Sequence, residues 1–223
     1  EGFGGAFAAR IASKPAGNPV RREFFELPEP ARRYASHTGP LRLLVIGGSQ
    51  GAARLNALLP QALAKLSGVI VRHQCGEKNL AATRSAYLAA GIDLEAGDAA
   101  SITVSAFIDD IAAAYGWADL VVCRAGALTV AEIAAAGVAA VLVPFPAAVD
   151  DHQTANARFL VDRGAARLLA ERGLDAETLA RELGGLLADR NTLCAMALKA
   201  RELARPSATR DLAAECLAVG GLA

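Results

Sequence analysis

Past Pro40 the chain alternates short Val- and Leu-rich runs with glycine-marked turns and longer stretches of helical composition. That alternation limits the fold more than any other feature. Apolar runs at 41–46, 69–74, 102–107, 119–123, 140–143 and 166–169 read as strands,. Between and after them, 52–66, 79–90, 109–117, 127–136, 151–163, 175–188 and 190–204 read as helices. Pro206 stops the run, and Ser207 is placed to cap a last helix reaching about residue 219,. Strands separated by helices pair in parallel, so the expectation is an α/β fold: a doubly wound, six-stranded parallel sheet with helices on both faces. A hydrophobic content of 53% with only 5% aromatics puts the apolar weight on Ala, Leu and Val, which suits stacked α/β layers better than an all-β fold.

Residues 8–40 carry Pro15, Gly17, Pro19, Pro28, Pro30 and Pro40 among charges and read as a lead-in or linker without periodic structure,. The pairs Arg21-Arg22 and Arg32-Arg33 read as solvated surface,. The chain opens on Glu1, and the strand-like stretch 1–7 has no partner nearby, so it reads as a piece of a longer polypeptide. Residues 133–149 are apolar apart from their breakers, but Gly137, Pro144 and Pro146 divide them and they fall short of the ~20 residues of a bilayer span,. A net charge of zero gives no electrostatic case for nucleic acid,. Cys75, Cys123, Cys194 and Cys216 are widely spaced within predicted strands and helices, and are expected as buried free thiols,. His37, His73 and His152 form no ligand set, so no metal and no cofactor are expected,.

In doubly wound sheets ligands collect at the carboxyl ends of strands, near the point where strand order reverses. The richest such turn is at 118–132. A strand ending at Cys123 breaks at Arg124-Ala125-Gly126 and enters a helix at Ala127. The mouth of that helix offers unpaired N–H groups and about half a positive charge, a place for phosphate. Glu132, one turn on, can accept hydrogen bonds from sugar hydroxyls. Thr129-Val-Ala-Glu132 also fits a capping box, a purely structural alternative,. Gly47-Gly-Ser49-Gln-Gly51-Ala52 is a second phosphate-facing turn, or a tight turn that needs its glycines,. It matches neither the dinucleotide fingerprint nor the P-loop, which disfavours nicotinamide cofactors and ATP. Ile108 ends the third strand, where its backbone can pair with a base or simply precede a cap. Gln153 and Asn156, one helical turn apart, can read hydroxyls from one face, or lie on a polar surface behind an Asp150 or Asp151 cap,.

Taken as an ordered set, Gly17-Asn-Pro-Val-Arg21, the 47–52 turn, Phe107-Ile-Asp-Asp110, 113–119, 123–137 and Pro144-Phe-Pro…Asp-His-Gln153-Thr-Ala-Asn156 closely resemble the MurG-type glycosyltransferases. The resemblance covers nearly the whole chain but only the C-terminal, Rossmann-like half of that family's two-domain GT-B fold. It implies an inverting, metal-independent hexosyltransferase of peptidoglycan biosynthesis that moves GlcNAc from UDP-GlcNAc to lipid I, giving lipid II. On that model Ile108 contacts uracil and Glu132 the ribose. Ser49 and the helix start at Ala127, Leu128 and Thr129 hold the pyrophosphate, and Val130 and Ala131 are also counted among the UDP-GlcNAc-binding residues. Gln153 and Asn156 read GlcNAc, and Arg21 sits at the inter-domain hinge. The resemblance further implies a division into 1–16, a remnant of the acceptor domain; 17–40, an inter-domain linker; 41–204, the UDP-GlcNAc-binding domain; and 205–223, a helix packing toward the other half. The general base, lipid I binding and peripheral contact with the inner face of the cell membrane all belong to that other half, in a cytoplasmic parent enzyme. A stand-alone donor-binding subunit of a split glycosyltransferase is the alternative.

Overall fold

The computed structural model describes residues 16–47, 53–94, 101–146 and 151–220. Its strands are β1 (Leu41–Ile46), β2 (Val69–Gln74), β3 (Ile102–Ser105), β4 (Leu120–Cys123), β5 (Ala139–Leu142) and β6 (Ala166–Leu168). They form one parallel sheet in the order β3-β2-β1-β4-β5-β6, as the alternation predicts. The order reverses between β1 and β4. Ile46 pairs with both Gln74 and Cys123, so the carboxyl ends of the three central strands lie level and their turns open on one edge,.

The helices are α1 (Arg22–Phe25), α2 (Pro30–Ser36), α3 (Ala53–Leu63), α4 (Leu80–Ala89), α5 (Ile111–Trp117), α6 (Ala127–Ala136), α7 (His152–Val161), α8 (Ala176–Leu187), α9 (Arg190–Glu202) and α10 (Ala208–Val219). Side chains along a strand alternate faces, and here both faces are buried. Leu43, Val45, Leu120, Val122 and Val141 pack with Leu55, Leu59, Tyr87, Leu183 and Met196 of α3, α4, α8 and α9. Leu44, Val121, Cys123, Ala140 and Leu142 pack with Phe24, Tyr115, Ile133 and Leu160 of α1, α5, α6 and α7.

Several readings change. The stretch expected as an aperiodic linker contains α1 and α2, and it is part of the core. Phe24 is fully buried edge-on to Tyr115, and the Tyr34 hydroxyl donates to the Asp119 carbonyl from a buried position. Pro30, which reads as a breaker, occupies the first turn of α2, where a missing N–H costs nothing,. The arginine pairs are not uniformly solvated: Arg33 is half-buried and bonded to the far end of α6. β3 stops at Ser105, two residues short of the expected end, because its partner β2 ends at Gln74 opposite it. Among the cysteines Cys75 and Cys123 are buried, but Cys194 is only partly so and Cys216 on α10 is exposed. Ser207 does precede α10, yet its hydroxyl donates to the Asp211 carboxylate at 2.6 Å and does not cap a helix N–H. Among the described residues no helix is long and apolar enough to cross a membrane.

Candidate functional site

The turn between β4 and α6 stands at the reversal point of the sheet. Gly126 is the N-cap residue of α6, with φ −64° and ψ 147°, and no side chain caps the helix. The first amide to be paired is that of Val130, which donates to the Gly126 carbonyl at 2.9 Å. The N–H groups of Gly126, Ala127, Leu128 and Thr129 have no acceptor among the described residues. The capping-box alternative is therefore not realised: α6 begins at Ala127, which puts Thr129 inside the first turn and not at the cap. A Cβ on Gly126 would lie 3.5 Å from the Thr129 hydroxyl, so that hydroxyl faces back over the helix mouth. Of the predicted stretch Ala127–Glu132, only the first three residues keep free amides. Val130 is buried, and its N–H is already spent.

Glu132 lies on the next turn of α6. Burial raises its pKa, and the charge of Arg21 partly opposes that shift. Arg21, the N-cap residue of α1, also lies 5.5 Å from the Phe24 ring centroid. A desolvated carboxylate beside one cation is a strong acceptor for neutral hydroxyls.

The turn is braced from three sides. Arg124 donates to the carbonyls of Val143 at 3.1 Å and Pro144 at 3.3 Å, and pairs with Glu171 beyond β6. It thereby fastens the ends of β4, β5 and β6 together. Asn156 on α7 is buried, and its amide nitrogen donates to the Ala125 carbonyl at 3.1 Å. Asn18 donates to the Ala127 carbonyl at 3.1 Å. Neither Arg124 nor Asn18 was singled out on its own from the sequence. The available signal was a cation directly between a strand end and its glycine turn.

The remaining predicted residues are dispersed along the same edge. Ile108 follows β3, and its backbone makes no hydrogen bond among the described residues. The Asp110 side chain caps α5 by accepting from the Ala113 N–H at 2.8 Å. Gln153 accepts the Phe145 N–H on its side-chain oxygen at 2.9 Å, which leaves its amide hydrogens for another partner. Asn156 is more buried, and one of its amide hydrogens goes to the Ala125 carbonyl. Asp151 precedes α7 in a left-handed conformation, φ 51°, without capping it. Phe107, Leu128 and Phe145, on the loops or helix start after β3, β4 and β5, are exposed large apolar residues. Ser49, with the rest of 48–52, and Asp150 lie outside the described residues. Cys123 sits beneath the turn, where burial pushes its thiol up to about 12, so it is no nucleophile at neutral pH,. Among the described residues no group of three His, Cys, Asp or Glu side chains is placed to hold a metal ion.

Residues 42–212 match the family model described as the glycosyltransferase family 28 C-terminal domain. A protein of Marinobacter nauticus is 50% identical over 220 residues, covering 97% of this chain and 58% of its own length. One of Alcanivorax borkumensis is 53% identical over 218 residues, again 97% of this chain and 58% of its own. Both are called UDP-N-acetylglucosamine–N-acetylmuramyl-(pentapeptide) pyrophosphoryl-undecaprenol N-acetylglucosamine transferase. The crystal structure of Acinetobacter baumannii MurG superposes with a TM-score of 0.76 at 43% identity, over 89% of this chain and 56% of that one. The chain thus spans little more than half the length of these relatives.

Proposed function

Since the chain belongs to the glycosyltransferase family 28 C-terminal domain family, we propose that it is the donor-binding half of an inverting transferase. That enzyme moves GlcNAc from UDP-GlcNAc to lipid I and releases UDP. The observation that carries the proposal is the row of four free amides at the mouth of α6, with Glu132 a turn beyond them.

In this reading the amides of Gly126 to Thr129 and the Thr129 hydroxyl hold the diphosphate. Ser49 supplies a further hydroxyl from the turn after β1. Glu132 accepts from the ribose hydroxyls, kept acceptor-competent by Arg21. The unpaired backbone of Ile108 reads the edge of the uracil. Gln153, with its oxygen fixed by Phe145, donates its amide hydrogens to GlcNAc hydroxyl oxygens. Asn156 supports the site through Ala125.

The chemistry follows from where charge develops. As the bond from the anomeric carbon to the β-phosphate oxygen breaks, negative charge grows on that phosphate. Preorganised amides and the positive end of α6 stabilise it without reorganising. Leaving-group stabilisation is therefore the catalytic contribution of this half. The acceptor hydroxyl needs a base, which this reading assigns to the other half of the parent enzyme, together with lipid I and peripheral attachment to the cytoplasmic face of the membrane. The chain alone binds UDP-GlcNAc and transfers nothing. Calorimetric titration of the folded chain with UDP tests the reading: saturable one-to-one binding is expected, and a folded sample that takes up no UDP refutes it.

A further inference from the structure

The far end of α6 is held more heavily than a helix end requires. Gly137 already closes it in the left-handed conformation, φ 61°, donating to the Ile133 and Ala134 carbonyls,. Two guanidinium groups nonetheless converge on its last carbonyls. Arg33 of α2 donates to Ala136 at 2.9 Å and to Gly137. Arg201 of α9 donates to Ala135, and its other terminal nitrogen donates to Phe25 of α1 at 3.0 Å.

One acid pairs directly with this concentration of positive charge, and it lies at the surface. Glu29 accepts from Arg201 at 3.1 Å, but its side chain is 67% exposed. Asp119 is engaged by the Arg42 N–H at 2.8 Å and lies within 3.1 Å of His37 and 3.8 Å of Arg190. The Arg33 Nε is buried without a partner among the described residues. Burial lowers the Arg33 pKa and the like charge of Arg201 adds to that, against opposing contributions from Tyr34, Asp119 and Glu29. Two partly desolvated cations are thus set against the negative end of α6, whose N-terminal amides are open.

We infer that Arg33 and Arg201 are positioning residues for the diphosphate. From the far end they hold the axis of α6 and complement its dipole, so that its open amides form a stronger anion site. The inference rests on the donor-binding reading above. Ten residues of α6 place the two ends about 15 Å apart,. Across a partly buried path that distance still transmits a modest Coulomb attraction, and salt weakens it. The same guanidinium groups bond α6 to α1 and α2, so the lead-in helices are fixed to the donor helix and not merely adjacent to it.

The test is calorimetric titration of the 223-residue chain with UDP and with uridine, at low and at high salt, for Arg33→Met, Arg201→Met and the corresponding lysine variants. Each methionine variant is expected to weaken UDP about threefold at low salt and less at high salt. Uridine affinity stays unchanged, and lysine restores most of the UDP affinity. Arg201→Gln is the milder second variant if a methionine variant does not fold. Equal weakening of UDP and uridine, or a lower melting temperature with unaltered UDP affinity, overturns the inference and leaves the donor site standing. An unmodified chain that binds no UDP overturns both.

Discussion

His73 offers a direct measure of how the half of the sheet beneath β1 and β2 is held. It is fully buried, with Nδ1 2.9 Å from the Tyr87 hydroxyl and Nε2 3.0 Å from the Asn56 side-chain oxygen. The Asn56 amide nitrogen donates to the Cys75 carbonyl, which turns its oxygen toward the ring. Nε2 therefore carries the proton and Nδ1 accepts from Tyr87, so the ring is neutral. Burial pushes its pKa down from 6.5 to about 4. Because the folded value is depressed, the unfolded chain binds the extra proton first. Stability is intact above pH 6.5, declines as pH falls from 6.5 toward 4, and loses nothing more from this group below that. The gap between 6.5 and about 4, at about 1.4 kcal/mol per pH unit, is roughly 3 kcal/mol. Most of that is lost by pH 4.5. Urea denaturation of the parent and of His73→Gln at pH 7 and pH 4.5 isolates it, because the carboxylates titrate alike in both. The parent should lose about 2–3 kcal/mol more than the variant between the two pH values. Equal losses would refute the neutral, buried assignment.

Glu132→Gln should raise stability at neutral pH, since burial disfavours the Glu132 charge; the same change should weaken UDP by tenfold or more on the order of a lost charge-assisted hydrogen bond, read by melting curves and calorimetry on one sample. Phe24→Ala removes a fully buried ring and should cost about 3–5 kcal/mol in urea unfolding; a loss under ~1 kcal/mol would mean that α1 is not part of the core. Glu171→Gln leaves Arg124 without its partly buried counter-charge and should destabilise by about 3 kcal/mol, a value that chemical denaturation at neutral pH can check.

The layered sheet was readable because strands buried on both faces write continuous apolar runs, and glycine turns punctuate them. β4 and α6 were placed to within a residue for this reason. α1 and α2 were not, because four and seven residues cannot hold a helix on propensity,. Their stability comes from Tyr115 and Asp119, which lie far along the chain. The turn between β4 and α6 was legible as a glycine turn, and its free amides follow from where that helix starts. The roles within the site were less legible. Thr129 matched a capping pattern, but only the true helix start shows that it is not a cap. Nothing local announces that the Asn156 amide nitrogen bonds Ala125, on a different strand's turn.

The packing of Phe24, Tyr34 and Arg33 against α5, α6 and β4 sets where this half can be cut for a recombinant domain exchange. A chimera joined at Pro40 would import a sheet lacking the two helices that fill its flank, and would leave the Arg201 guanidinium facing carbonyls from a foreign backbone. The workable seam lies upstream of Asn18, whose side chain already grips the first residue of α6. Half-exchanges made there should transplant donor preference as an intact cassette.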